Sequence, residues 1–191
     1  SLTALEICEG QQMDMEFEQR NDVTAEEYLE MIRLKTAVLL AASLKIGARL
    51  GGASVEDADR LYDFGMHIGV AFQLKDDLLD VYGNAKVFGK NIGGDILCNK
   101  KTYMLIKALE HANADQHNQL NSWINAETFQ PAEKIAAVTE LYDRIGVKAV
   151  CENKILEYSN RAMESLAAVS IAEEKKEELK KIIENLIHRE V

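Results

Sequence analysis

The sequence predicts an all-α fold, and three observations predict it. One proline occurs in 191 residues, where ordinary usage of ~5% would give about ten; loop-rich and β-sandwich folds need more turn punctuation than that. Apolar residues make up 47% of the chain and aromatics 6%, so the core is mostly aliphatic. Apolar residues also recur at helical spacing over long runs. A chain of this length hides roughly 70% of its unfolded surface on folding, enough for a single helical domain over residues 1–191.

The elements follow in order. Residues 1–20 mix Leu5, Cys8, Met13 and Met15 with Glu6, Glu9, Glu16 and Glu18, a helical pattern with no cap ahead of it. The chain is therefore expected to open inside a helix. Thr24, with Glu27 three residues on, is a capping-box signature. It starts a helix through Tyr28, Met31, Leu34 and Ala37 toward Gly51 and Gly52. A second long helix runs from Val55 to Gly83, with an acidic first turn at Glu56, Asp57 and Asp59 that suits a helix N-terminus. Residues 84–101 have little periodicity and are rich in glycine and lysine. They read as a functional loop. Helical patterning resumes from Tyr103 to Leu109. Pro131 sits like a first-turn proline of a helix that ends near Gly146. Val147–Val169 and Ile171–His188 complete the set. In the last, Leu179, Ile182, Ile183, Leu186 and Ile187 fall on one face, and the charged run Glu173–Lys181 is expected to be its solvated side.

A net charge of −10 excludes a protein built around a nucleic-acid backbone, which needs a dense basic surface. No apolar stretch approaches the ~20 residues that span a bilayer. The longest, around Ala37–Ala42, is flanked by Lys35 and Lys45. Cys8, Cys98 and Cys151 are too far apart for a CxxC metal site and odd in number. They read as reduced thiols of a cytoplasmic protein.

The chemistry concentrates in Phe72-Gln73-Leu74-Lys75-Asp76-Asp77-Leu78-Leu79-Asp80. On a helix, Asp76 and Asp80 are one turn apart, Asp77 and Asp80 three residues apart, and Gln73 lies three before Asp76. Like charges at these spacings destabilise a helix. Water on an exposed face would offset that. However, Val70, Ala71, Phe72, Leu74, Leu78, Leu79 and Val81 make most of the circumference apolar, so the helix should be buried and its carboxylates should need cations. Oxygen-only ligands favour a hard divalent ion, and Mg²⁺ typically takes one or two carboxylates and completes its shell with water and phosphate oxygens. Lys90, Lys100 and Lys101 follow in the loop. Lys35 and Thr36 sit in a mostly apolar helix. Any one lysine could be a surface residue, but together they suggest an anion such as a diphosphate.

Four ordered blocks carry a resemblance. Gly69 through Gly83 resembles the second aspartate-rich motif of the trans-isoprenyl diphosphate synthases, the farnesyl/geranylgeranyl diphosphate synthase type of polyprenyl synthetase. Glu9-Gly10-Gln11-Gln12-Met13-Asp14 is similar to that family's glycine–glutamine–aspartate helix. Lys35-Thr36 is similar to its lysine–threonine pair, and Gly89-Lys90 through Asp95 to Asn99-Lys100-Lys101-Thr102 is similar to its lysine loop. The resemblance implies an all-α homodimer, each bundle surrounding a deep cavity, that condenses an allylic diphosphate with isopentenyl diphosphate head to tail, using Mg²⁺. By resemblance, Asp76, Asp77 and Asp80 are the metal aspartates, and Lys35, Lys90 and Lys100 bind diphosphate. Thr36 and Gln73 face the developing cation, Phe72 packs against isopentenyl diphosphate, and Gln11 and Asp14 line the allylic site. The family's first aspartate-rich motif and N-terminal basic residues lie ahead of the glycine–glutamine–aspartate helix. Here the sequence begins within that helix, and Glu56-Asp57-Ala58-Asp59 stands at a helix start too late to replace the motif. The expectation is the C-terminal part of a synthase, inactive by itself. A non-catalytic helical subunit regulating a complete synthase is the alternative. A terpene cyclase is disfavoured by the lysine loop.

Overall fold

The computed structural model describes residues 1–83 and 92–188. Among the described residues there is no strand. Helix α1 spans Leu2–Phe17, and Ser1 caps it, its hydroxyl accepting from the Ala4 amide at 3.3 Å; the cap expected to be missing is the first residue itself. Helix α2, Ala25–Ile32, opens on a complete capping box, with Thr24 accepting from the Glu27 amide and Glu27 accepting from the Thr24 amide. Arg20 forks onto Glu27 at 2.9 and 3.2 Å and reaches Asp22 at 2.8 Å, tying the end of α1 to the start of α2.

The helix predicted toward Gly51 runs on, but its turn at Arg33–Ala37 widens to a π-helical one, and the Val38 amide bonds to the Arg33 carbonyl. Helix α3, Val38–Leu50, continues the axis. Helix α4, Val55–Tyr82, is the central element, packed against α3 on one side and against the later Val147–Ala167 helix on the other. The α3–α4 crossing is close because Gly65 and Gly69, one turn apart, face Ala41 and Ala37. A Cβ on Gly69 would stand 2.6 Å from the Ala37 Cα, and one on Gly65 2.7 Å from the Ala41 Cα. In the same way, Gly10 lets α1 lie against the backbone of Leu34 and Lys35.

In the predicted loop, residues 84–91 lie outside the described residues, and a one-turn helix α5 forms at Gly94–Leu97. Helices α6, Tyr103–His111, and α7, Ala114–Ile124, follow. The sequence reading passed over α7. It buries only Leu120 fully, so its apolar periodicity is weak, but its start is marked by a capping box between Asn113 and Gln116. Helix α8, Pro131–Ile145, has the expected first-turn proline and ends on Gly146 at φ 83°. Helix α9 is Val147–Ala167.

The last helix, α10, spans Glu177–His188, after a short 3₁₀ turn at Glu173–Lys175. It starts later than expected, and the charged run before it is not wholly solvated. Lys176 is buried, donating to the Ala167 carbonyl at 3.0 Å and to Glu173 at 2.9 Å. It thus caps a carbonyl that the end of α9 leaves open. One hydrophobic cluster joins Phe17, Tyr28, Phe64, Leu74, Met104, Tyr142 and Leu166 across these helices. No helix of the described residues is long and apolar enough to cross a membrane.

Candidate functional site

The glycine contacts decide which side chains meet. Gly10 fixes α1 against Lys35, and Asp14, one turn further along α1, accepts from Lys35 Nζ at 2.6 Å. Gly69 fixes α4 against Ala37, and one residue before Ala37 the Thr36 hydroxyl donates to Gln73 Oε1 at 3.2 Å. Lys35 and Thr36 both belong to the π-helical turn, whose extra backbone width is a frequent mark of functional positions. The Lys35–Asp14 pair is only part-buried, and such pairs contribute under about 1 kcal/mol. The pair therefore positions Lys35 more than it stabilises the fold.

Gln73 continues the chain of hydrogen bonds, donating through Nε2 to Asp77 Oδ1 at 3.3 Å. Asp77 is 3% exposed. The Tyr28 hydroxyl, itself buried, donates to its other oxygen, and Lys100 Nζ lies 3.7 Å away. Burial pushes the Asp77 carboxyl up to about 8; Lys100 pulls it down, and Asp95 and Asp80 push it further up. Lys100 is also 3.4 Å from Asp95. Burial alone would lower the Lys100 ammonium, but the surrounding Asp77, Asp95 and Asp14 hold it above its ordinary value. Asp95 is raised by burial, against the pull of Lys100 and with a push from Asp80.

The three aspartates of the DDxxD stretch do not share one environment. Asp77 is turned 100° from Asp76 around the helix, into the core and onto Tyr28. Asp76 and Asp80 are half-buried and one turn apart. Asp80 Oδ2 accepts from the Asp95 amide at 2.9 Å, and its carbonyl accepts from the Gly93 amide at 2.6 Å, docking the 93–95 turn onto α4. Among the described residues no three acidic, histidine or cysteine side chains gather into a group that holds a metal by itself. The donor set is nevertheless all oxygen, from two part-exposed carboxylates on one helix face. That fits Mg²⁺ completed by ligand oxygens, which takes one or two carboxylates.

The structure thus brings together Asp14, Lys35, Thr36, Gln73, Asp77 and Lys100, with Asp80 joined through Asp95. Gln11 is exposed on α1 and outside this network. Lys90 lies outside the described residues. Phe72 is 41% exposed and lines an apolar cavity of about 360 Å³ with Leu40, Ile68, Ile182 and Leu186. A second, open cavity of about 620 Å³ is lined by Asp14, Phe17, Asp95, Cys98, Lys100 and Lys101. Sequence reasoning gave Tyr28 and Asp95 no role at the site. No local spacing could find Tyr28, 49 residues from its partner. Asp95 stood within the lysine-loop block, and its place in a glycine-rich turn was the available signal.

A family model described as polyprenyl synthetase matches residues 1–142. The short chain isoprenyl diphosphate synthase of Methanothermobacter thermautotrophicus is 38% identical over 188 residues, covering 98% of this chain and 57% of the relative. A crystal structure of a geranylgeranyl pyrophosphate synthase superposes with a TM-score of 0.91 at 39% identity, covering 98% of this chain and 58% of that one. The geranylgeranyl pyrophosphate synthase of Corynebacterium glutamicum, complexed with isoprenyl diphosphate and magnesium, superposes with a TM-score of 0.88 at 30% identity, covering 98% of this chain and 53% of that one. The chain therefore spans just over half the length of these three relatives.

Proposed function

The chain belongs to the polyprenyl synthetase family, and from this premise we propose that the cluster on α1, the π-turn, α4 and residues 93–101 binds the diphosphate of an allylic substrate for head-to-tail condensation with isopentenyl diphosphate. One observation carries the reading: Lys35 and Lys100 converge with Asp14, Asp77 and Asp95, beside the hydrogen-bonded Thr36–Gln73 pair. More carboxylates than ammonium groups in a part-buried cluster call for added cations, and the ammonium groups among them call for an anion; a metal–diphosphate complex answers both needs.

Lys35 and Lys100 bind and orient phosphate oxygens. An ammonium has three donors, and the carboxylates beside each lysine hold its charge in place. Asp76 and Asp80 are the residues that would hold Mg²⁺. When bound, Mg²⁺ supplies charge that makes diphosphate a better leaving group. Asp77, buried and bonded to Tyr28 and Gln73, acts as the anchor of Gln73 and Lys100. Because Thr36 directs its proton to Gln73 Oε1, the lone pairs of Thr36 Oγ can face a carbocation developing as diphosphate departs. Such fixed oxygens stabilise the transition state more than the ground state. Phe72 supplies an apolar surface for the isopentenyl group.

Calorimetry tests this. Inorganic diphosphate together with Mg²⁺ should bind the chain more tightly than either does alone, and Lys100→Ala should weaken the joint binding. Equal affinity with and without Mg²⁺ would refute a site that metal and diphosphate complete together.

A further inference from the structure

We propose that Lys134 and Asn99 form a buried bracket that positions Lys100, making Lys134 a positioning residue for anion binding. The proposal rests on the reading of Lys100 as a diphosphate ligand. Lys134, in the first turn of α8, is 1% exposed. Its Nζ donates to Asn99 Oδ1 at 2.7 Å and lies 4.3 Å from the centroid of the Phe129 ring. No carboxylate among the described residues pairs with it, and burial lowers its pKa. An ammonium kept out of water with an amide and a ring beside it and no carboxylate partner among the described residues is costly, so its placement calls for a local reason.

Asn99 supplies one. Its backbone is at φ 51°, the only left-handed non-glycine among the described residues, a conformation uncommon outside glycine. Its side chain works in both directions: Oδ1 accepts from Lys134, and Nδ2 donates to the Ile124 carbonyl at 2.9 Å. That carbonyl is one that the end of α7 leaves open. Asn99 is thus pinned between α7 and α8. The next residue is Lys100, whose amide bonds to the Asp95 carbonyl at 3.0 Å and whose carbonyl accepts from the Thr102 amide at 2.8 Å. The space behind this segment is a cavity of about 20 Å³, lined by Asp95, Asn99, Lys100, Lys134, Val138 and Tyr142. That is room for roughly one water. A shift at Lys134 therefore passes into the backbone that aims Lys100.

Two variants and two readouts test the bracket on the full chain. Lys134→Met removes the ammonium, and Asn99→Gly keeps the left-handed backbone accessible while removing the side chain. In both, hydrogen exchange at the Lys100 and Thr102 amides should speed up by about tenfold while α4 stays protected. Calorimetry with Mg²⁺ and inorganic diphosphate should show about a tenfold loss of affinity for Lys134→Met and no further loss when it is added to Lys100→Ala, the non-additivity of residues that act through one another. Unchanged exchange in both variants, or equal losses in the two backgrounds, would overturn the bracket. If the wild-type chain does not bind diphosphate, the reading of Lys100 fails, and the exchange rates alone then decide whether Lys134 and Asn99 hold the segment.

Discussion

Replacing Gly69 with alanine sets two effects against each other. Alanine favours an α-helix over glycine by about 1 kcal/mol, so local propensity predicts a more stable protein. The α3–α4 crossing predicts the opposite. The new methyl would stand 2.6 Å from the Ala37 Cα and 2.7 Å from its Cβ, where carbon atoms ordinarily stay ~3.5–4.0 Å apart. The helices must part locally by roughly 1 Å, and overpacking of this kind costs about 1–3 kcal/mol. The net expectation is a loss of about 1 kcal/mol, and for a chain of this size each kcal/mol moves Tm by about 2–4 °C. The same displacement would carry the Thr36–Gln73 hydrogen bond, now 3.2 Å, beyond bonding distance. Gly47 is the control, since it lies within α3 with nothing near its would-be Cβ. Gly47→Ala should therefore raise Tm by about 2–4 °C, the propensity gain alone. Thermal unfolding followed by circular dichroism reads both. If Gly69→Ala raises Tm as Gly47→Ala does, the close crossing is not what holds Thr36 against Gln73.

Tyr28→Phe removes one hydrogen-bond partner of the buried Asp77 and should lower the stability measured by urea denaturation by about 1–3 kcal/mol; an unchanged midpoint would count against Asp77 as a buried anchor. Asp57 is held below the usual carboxylate range, first by the Ser170 amide and then by Arg60. Its depressed folded pKa means that its contribution is complete above the ordinary value near 4 and is lost as pH falls toward the lower folded value. Asp57→Asn should accordingly flatten the acid limb of a stability–pH curve below pH ~4, and a limb as steep as the wild type's would contradict that pairing. Leu39, Leu40, Ile46 and Leu50 are exposed along α3 and Leu2, Leu5 and Met15 along α1, so the chain should self-associate through these helices. Light scattering should report a mass above the monomer, and a strictly monomeric mass would exclude it.

Much of the helical layout was legible because its signals are local. Thr24 and Glu27 are three residues apart, and their capping box forms as the spacing predicted. Pro131 and Gly146 bound α8 as a first-turn proline and a left-handed glycine should. Where local signals were weak or ambiguous, the reading failed. Helix α7 has too few apolar residues to show a period, and the charge of Lys176 suggested solvent although its ammonium caps α9.

The sequence by itself determined the all-α class, the family blocks and the one-turn spacing that puts Asp76 and Asp80 on one face, because 3.6 residues per turn is a property of the backbone alone. Only the tertiary structure decided that Asp77 leaves that face for Tyr28, that Asp14 meets Lys35, that Thr36 meets Gln73 and that Lys134 meets Asn99. These partners are 49, 21, 37 and 35 residues apart. No periodicity links such distances. They close because Gly10 and Gly69 let α1, the π-turn and α4 approach to backbone contact, and because Asn99 adopts a left-handed turn between α7 and α8.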